Sequence, residues 1–354
     1  MHSHIGPITL VLLLLSLLFI GCNEPEPQVP DPQNAIYYWR QELRLNESEK
    51  SFLHNQHIGK VYLHLFDVVR QQSQLRPNAT LDVSEPLPSG IEVIPVVFLA
   101  HNLLSDTTGL AQLPQLLARR VDAMMQQNQL GPLTELQIDF DWTKRNQARY
   151  FELLTQIRHE LDLLPTSQQG RSIRLSTTIR LHQLGMEAPP VDYGSLMVYN
   201  LGHIQEYTET NSILNEQVLQ DYLRYLRGYT LPLCTALPVY SWDLLFHDQE
   251  FQCILRNIDL SDTTRFQAID PAHYRAISYQ VIPPNGVSLR ADGRIYPGDL
   301  IRHEYVTYQV LRHVRQTIAE RRPSACQQII LYHLDERQLK QYTDEELQTI
   351  YSGH

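Results

Sequence analysis

Eight short apolar segments recur along this chain, and helical patterns separate most of them. Each segment is rich in aliphatic or aromatic residues, as β-strands are. They cover residues 35–39, 61–67, 91–99, 135–142, 173–181, 195–200, 233–242 and 328–334. Strands that alternate with helices pair in parallel through helical crossovers, and eight such units are typical of a (β/α)8 barrel. The sequence therefore predicts an α/β protein with a TIM-barrel fold.

The connections between the segments bear on this choice of fold. An open, doubly wound sheet is the alternative, and such sheets carry a glycine-rich phosphate loop after the first strand. Trp39 and Arg40, at the end of the first segment, include no glycine and offer no such loop. This argues against a nucleotide enzyme. A long interruption at about residues 243–299 predicts a small insertion between strands seven and eight. Helices are predicted near residue 48 and over residues 113–126, 146–163, 216–226 and 343–350.

The N-terminus carries an apolar run from Thr9 to Ile20 that is short for a membrane span and ends in Gly21 and Cys22. This arrangement resembles the lipobox of bacterial lipoproteins, although Phe19 stands where leucine is usual. The resemblance implies that residues 1–21 are a signal peptide and that Cys22 is lipidated. An ordinary cleaved signal or a membrane anchor is the alternative.

Residues 22–33 are acidic and proline-rich, and this composition predicts a disordered tether in front of a barrel domain at residues 34–354. An acidic run directly after the cysteine also resembles the surface-export signal of some bacterial lipoproteins. That resemblance implies an outer-membrane lipoprotein of the cell envelope, with surface exposure as a further expectation. The membrane is thus an expected partner through the lipid.

Net charge and cysteine spacing exclude several classes of function. The formal net charge of −10 argues against nucleic acid as a partner. The cysteines beyond Cys22 show no zinc-binding spacing, so neither a metal nor a cofactor is expected. A disulfide between Cys253 and Cys326 is left open, because an envelope compartment can be oxidising.

The fourth segment places two carboxylates on one face of a strand. Alternation puts Asp139 and Asp141 on one side, together with Gln137 and Thr143, and puts four apolar residues on the other. The two aspartates lie about 7 Å apart along such a strand. Because an unpaired buried charge is costly, this face belongs in a polar site. An internal salt bridge or a hydrogen-bonded network inside the barrel is the alternative interpretation.

Polar and aromatic residues follow nearly every predicted strand. In a barrel the C-terminal strand ends meet at one mouth, where the functional residues lie. Single members also have structural explanations: His64 suits a buried core, and Arg180 suits neutralisation of an aspartate. Together these residue types predict a sugar-binding cleft, since aromatic faces stack on sugar rings while amides and charges bind hydroxyls. The strand-end residues are Trp39, Arg40, His64, Asp67, His101, Asn102, Asp139, Asp141, Thr143, Arg180, His182, Tyr199, Asn200, Tyr240, Trp242, Asp243, His333 and Asp335.

The order of these motifs resembles glycoside hydrolase family 18, the chitinase-type barrels. Asp139 and Asp141 match the second and third aspartates of the family's fourth-strand motif DxxDxDxE. Residues 197–200, Met-Val-Tyr-Asn, match its sixth strand, and residues 238–242, Pro-Val-Tyr-Ser-Trp, match its seventh. The resemblance spans most of residues 34–335 and is closer still to a group of bacterial proteins with an Ile-Asp-Phe-Asp strand.

The resemblance implies a role for several of these residues in glycan hydrolysis. Asp141 would orient an acetamido group or act as a base, and Asp139 would tune its charge. Tyr199 would contact the reacting centre, and Trp242 would form a platform for the sugar. Binding residues expected around them are Trp39, Arg40, His64, Asp67, Arg180, Asn200, Tyr240, Asp243, His333 and Asp335.

One departure from the family pattern affects catalysis directly. The family's proton donor is a glutamate at the position of Thr143, and a hydroxyl cannot replace a carboxylic acid near neutral pH. The first aspartate of the motif is Leu136 here. Another acid supplies the proton, with Asp67, Asp243, Glu304 and Asp335 as candidates, or the barrel binds a glycan without cleaving it. A structural envelope lipoprotein without a ligand is the third alternative.

Overall fold

The structure is a computed structural model that describes residues 26–72, 74–165, 170, 172–256, 258–281, 287–288 and 293–353. The predicted signal peptide and the predicted lipidation site, Cys22, lie outside these residues. In the described part of the chain, no helix combines the length and the apolar character needed to cross a membrane.

Eight parallel strands form a closed barrel. Neighbours in sequence are neighbours in the sheet, and the first strand pairs in parallel with both the second and the last, which closes the ring. The TIM-barrel prediction is therefore confirmed. The strands are β1 (Ala35–Tyr38), β2 (Lys60–Gln71), β3 (Glu92–Leu99), β4 (Glu135–Asp139), β5 (Arg174–Arg180), β6 (Tyr193–Met197), β7 (Leu233–Pro238) and β8 (Ile329–Tyr332).

Helices cover the outside of the barrel, and several of them begin at a residue whose side chain caps the helix. The Asn46 side chain accepts a hydrogen bond from the Glu49 backbone N–H, and the Glu49 side chain accepts one from the Asn46 backbone N–H. The helices are α1 (Glu47–Asn55), α2 (Leu113–Gln127), α3 (Gln147–Asp162), α4 (Glu216–Leu223), α5 (Tyr308–Arg321), α6 (Glu336–Leu339) and α7 (Asp344–Ser352). Shorter 3-10 turns lie at Leu103–Ser105, Leu110–Gln112, Leu181–Gly185, Leu226–Gly228 and Pro323–Cys326.

The barrel separates two apolar layers, and β4 has the face assignment predicted from its alternation. Leu136 and Ile138 are fully buried between the barrel and its helices. Gln137 points into the barrel, where its Oε1 accepts a hydrogen bond from Tyr37 at 2.6 Å and its Nε2 donates to Ser195 at 2.9 Å. Asp139 lies on the same inner face because side chains alternate along a strand.

An antiparallel sheet is inserted between β7 and β8. Its strands, in spatial order, are Phe266–Ala268, His273–Ala276, Leu300–Glu304, Trp242–His247, Glu250–Leu255 and Val287–Ser288. Glu304, one of the candidate proton donors, is a buried residue of this sheet. A further small pairing joins Gln280–Val281 with Arg294–Ile295, and elsewhere Gln74–Asn78 pairs with β2 and Glu42–Leu43 with Asp82–Val83. Cys326 has a free thiol, so the disulfide to Cys253 is absent.

The segment in front of β1, residues 26–33, packs against the N-terminal end of the barrel, and we call it the docking segment. Val29 is 3% exposed and belongs to the apolar cluster inside the barrel. The Lys60 Nζ donates to the Asp31 carbonyl at 2.6 Å, and the Gln33 N–H donates to the Gln328 side chain at 3.3 Å. The prediction of a disordered tether is therefore wrong for residues 26–33, because one apolar side chain among the prolines finds a place in the core.

Candidate functional site

The inner carboxylate of the mouth, Asp139, is held by two donors from the neighbouring strand. It is the last residue of β4 and only 4% exposed. Its Oδ1 accepts hydrogen bonds from the Thr178 hydroxyl at 2.6 Å and from the Arg180 Nη2 at 2.9 Å. Arg180, the last residue of β5, therefore neutralises the charge of Asp139. This is the structural role that the sequence also allowed for Arg180. The Arg180 Nη1 is buried, and no described residue accepts a hydrogen bond from it.

The second carboxylate, Asp141, is more open than the first. Its side chain is 34% exposed, against 6% for Asp139. Its Oδ1 lies 3.5 Å from both the His182 Nε2 and the Gln183 Nε2, at the outer limit of a hydrogen bond. Asp141 therefore keeps lone pairs that face no strong donor among the described residues, and it can accept a hydrogen bond from a ligand.

Thr143 occupies the position where the resembled family has its acid. It is exposed, and its backbone N–H donates to the Asn146 side chain at 2.7 Å, at the turn that leads into α3. A threonine hydroxyl is too weak an acid to act as a proton donor in catalysis near neutral pH. Trp142, which lies between Asp141 and Thr143 in the chain, is fully buried and packs on Tyr150 and Phe151 of α3. The strand end is therefore fixed from the helix side, with the Asp141 and Thr143 side chains on the solvent side.

Aromatic rings form a continuous wall around the rest of the mouth. Tyr332, the last residue of β8, stacks on Tyr199 with a centroid distance of 4.9 Å. It also contacts Trp39 at 5.9 Å and Tyr240 at 5.8 Å, and Tyr240 contacts Trp242 at 5.5 Å. These rings come from the ends of β1, β6, β7 and β8, so the barrel closure itself assembles them. Apolar faces with polar edges are the surfaces that bind sugar rings.

Burial keeps the phenols of this wall neutral. It raises the pKa of Tyr199, Tyr240 and Tyr332 above the ordinary value for tyrosine. The Tyr240 hydroxyl donates to the Asn200 side chain at 2.6 Å, which orients the Tyr240 edge. Neutral phenols can donate or accept hydrogen bonds, as recognition of sugar hydroxyls requires.

Two histidines flank the wall. His64 is 3% exposed, stacks on Trp39 at 4.5 Å, and its Nε2 lies 2.8 Å from Asp67. His333 lies next to Tyr332; burial lowers its pKa to about 4, and its buried Nδ1 has no hydrogen-bond partner among the described residues. His333 is therefore neutral at pH 7.

Two residues predicted to bind the glycan are engaged in structural contacts. Arg40 forms an ion pair with the buried Glu49 of α1 and donates to Asp335 at 3.2 Å and to the Leu334 carbonyl at 3.2 Å. Asp335 also caps α6, accepting from the Arg337 backbone N–H at 3.0 Å. These contacts tie β1, α1 and α6 together, so the strand-end position of both residues is explained by helix capping and charge neutralisation.

Two further acids, Asp243 and Glu304, are engaged in contacts of the inserted sheet. The Asp243 Oδ1 lies 2.7 Å from the His303 Nδ1. Glu304 is 2% exposed and accepts from the Trp242 Nε1 at 2.8 Å, from the Ser212 hydroxyl at 2.6 Å and from the Arg302 Nε at 2.6 Å. Glu304 therefore joins the insertion to the loop after β6 and orients Trp242, whereas Asp243 pairs within the inserted sheet.

Sequence reasoning missed the residue at the centre of the wall, Tyr332. Alternation along β8 contained the signal, since Ile330 lies in the cluster inside the barrel and the residue two positions later shares its face. His101 and Asn102, also at strand ends, are exposed beside the short turn Leu103–Ser105. The described residues contain no group of three or more His, Cys, Asp or Glu side chains arranged for a metal.

Solved structures share this architecture. The spore cortex-lytic enzyme SleL of Bacillus cereus has 12% identity and a TM-score of 0.53 over 90% of this chain and 74% of its own. The class V chitinase of Nicotiana tobaccum has 12% identity and a TM-score of 0.52 over 91% of this chain and 99% of its own. A mutant of that chitinase in complex with NAG4 has 12% identity and a TM-score of 0.51 over the same shares, 91% and 99%. No family model and no curated protein matches the chain.

The chain has a barrel like those of glycoside hydrolase family 18. The predicted resemblance is thereby confirmed at the level of the fold. An identity of 12% gives no information on chemistry, so the roles of Asp139, Asp141, Tyr199 and the binding residues stay predictions.

Proposed function

We propose that this chain is a lipid-anchored envelope protein whose barrel mouth binds a glycan and does not hydrolyse it. The aromatic wall of Trp39, Tyr199, Tyr240, Trp242 and Tyr332 supports glycan binding, because its stacked, tilted and edge-to-face rings leave apolar surfaces beside polar edges. Asp141 supplies an open acceptor for a hydroxyl or amide of the sugar. The chitinase-type fold supports a glycan that contains N-acetylated sugars.

One observation carries the non-hydrolytic part of the proposal: each described carboxyl group considered as a replacement for the family's acid is engaged by other side chains. Hydrolysis needs a protonated carboxyl group beside the leaving oxygen. Thr143 stands at the acid's position, and Asp67, Asp243 and Asp335 each lie within 3.2 Å of a histidine or arginine nitrogen. Glu304 is buried under several donors. These four carboxyl groups are therefore already engaged by other side chains of the protein.

Glycan binding is tested by calorimetry on the purified barrel with N-acetylchitooligosaccharides and a broader panel of glycans. Trp39→Ala should weaken binding about tenfold or more, because a buried tryptophan in an interface contributes about 2 kcal/mol. Tyr225→Ala, which removes a 40% exposed ring on α4's C-terminal side, is the matched control and should leave affinity unchanged. Equal losses in both variants, or no binding to any glycan, would contradict the proposal.

Catalysis is tested with the same glycans by product analysis. We expect no turnover from the natural chain, and a gain of slow hydrolysis in Thr143→Glu but not in Thr143→Gln, since the glutamate restores a carboxylic acid two residues after Asp141. Turnover by the natural chain that Asp141→Asn abolishes would overturn the binding-only proposal. It would favour hydrolysis with a different acid.

Lipid anchoring and envelope location rest on the sequence around Cys22. Changing Cys22 to Ala should release the protein from the membrane fraction and remove a diacylglyceryl modification from its N-terminal peptide. A variant that stays bound to the membrane would show attachment by another route.

A further inference from the structure

The docking segment (residues 26–33) closes the end of the barrel opposite the mouth. Val29 inserts among residues of the barrel interior, beside the starts of β1 and β2. Lys60, the fully buried first residue of β2, donates to the Asp31 carbonyl, so docking satisfies a buried ammonium group. Residues 26–33 are thus a fixed part of this end of the barrel, which we call the lower face.

A hydrogen bond holds the first described residue of the segment. Arg322 is 1% exposed and donates to the carbonyls of Tyr229 at 2.7 Å and Leu231 at 2.8 Å. Glu26 places a negative charge near this guanidinium, and its Oε2 accepts from the Ser324 backbone N–H at 3.0 Å. This hydrogen bond fixes the start of the segment beside the short turn Pro323–Cys326.

The proposed lipid site lies very close to this point in the chain. Three residues, 23–25, separate Cys22 from Glu26. Four residue steps span at most about 14 Å when fully extended. A lipid on Cys22 therefore keeps the lower face of the barrel within about 14 Å of the lipid surface, while the mouth lies at the other end of the strands.

We infer that the membrane surface is the partner of the barrel's N-terminal face, and that the mouth points away from the anchoring membrane. This inference rests on the proposed lipidation of Cys22. The glycan that reaches the mouth then comes from the space beyond that membrane, as a polymer or a soluble oligosaccharide. Sugar headgroups of the anchoring leaflet lie at the wrong end of the barrel.

The test uses full-length lipidated protein in vesicles that contain lipids with a quencher on the headgroup. Gln127→Cys and Lys144→Cys each place a fluorophore at an exposed site. Position 127 precedes β4 and position 144 follows it, so the two sites lie towards opposite ends of the strand. Cys234 and Cys326 are buried and do not compete for the label. We expect strong quenching at position 127 and weak quenching at position 144. Equal quenching, or stronger quenching at position 144, would overturn the inference.

A length variant separates docking from direct adhesion of the barrel. Twelve Gly/Ser residues inserted between residues 25 and 26 leave the docking segment intact and lengthen the connection. Quenching at position 127 should then fall several-fold; unchanged quenching would overturn the argument from tether length. Mass analysis of the N-terminal peptide tells the two failures apart: an unmodified Cys22 refutes the anchor, whereas a lipidated protein with random orientation refutes only this inference.

Discussion

The two ends of the barrel carry charged residues in different ways. At the closed end, the buried Glu135 accepts hydrogen bonds from the hydroxyls of Ser176 and Tyr193 at 2.6 Å each, and Arg174 lies 3.4 Å away. At the mouth, buried nitrogens of Arg180 and His333 have no hydrogen-bond partner among the described residues. Polar groups at the closed end therefore serve stability, and those at the mouth keep hydrogen-bonding capacity for a ligand.

The largest effect expected from this difference is on folding stability. Glu135→Ala removes the acceptor shared by two buried hydroxyls and leaves Arg174 without its buried partner, so it should lower the free energy of unfolding by about 3–5 kcal/mol. Asp141→Ala at the open end is the control and should change it by less than about 0.5 kcal/mol. Urea unfolding followed by circular dichroism measures both. Similar losses in the two variants would remove the distinction between the ends.

A smaller effect concerns the pH dependence of stability. Burial lowers the pKa of His333 to about 4, whereas an unfolded histidine has a pKa of about 6.5. Between these values the unfolded chain binds a proton that the folded chain does not, so this stabilisation is fully present above about pH 6.5 and is lost as the pH falls towards 4.

His333→Gln should therefore flatten the dependence of unfolding free energy on pH across this window, by about 1–3 kcal/mol in total. His313→Gln, which changes an exposed histidine on α5, is the control and should leave the slope unchanged. Urea unfolding at several pH values gives the slopes. An identical slope in the natural chain and in His333→Gln would show that His333 does not titrate differently on folding.

The smallest effect concerns the contacts of Glu26 at the lower face. Glu26→Gln should reduce stability by about 1 kcal/mol, because Arg322 loses its nearby charge while the amide oxygen can still accept from Ser324. Glu250→Gln, on an exposed strand of the insertion, should have no measurable effect. Thermal unfolding of both variants compares them. A loss of several kcal/mol for Glu26→Gln would mean that docking contributes far more to the fold than one hydrogen bond and one nearby charge.

The barrel was predictable because its signals are local. Each of the eight predicted segments overlaps a barrel strand, and alternation alone gave the inward face of Asp139. Strand ends converge by a general rule of the fold, so the sequence could also place Tyr199 and Trp242 at one mouth. These inferences need only periodicity and order along the chain.

Other features depend on partners far apart in sequence. Arg40 was assigned to the mouth, but Glu49 and Asp335 bind it because α1 and α6 meet there. Residues 26–33 were predicted to be a tether. The sequence around Val29 does not show its binding site, because strands from the whole barrel build that site. No local pattern records such contacts, and only the closed barrel brings them together.

Docking of residues 26–33 also sets an order of events during folding. These residues precede every barrel strand in the chain, yet the Glu26 side chain accepts a hydrogen bond from Ser324, 298 positions later, and Gln33 donates one to Gln328, 295 positions later. The site that receives them exists only after the last strand has been delivered and the ring has closed. Docking of residues 26–33 therefore comes late in folding, and it reports that the whole barrel has formed.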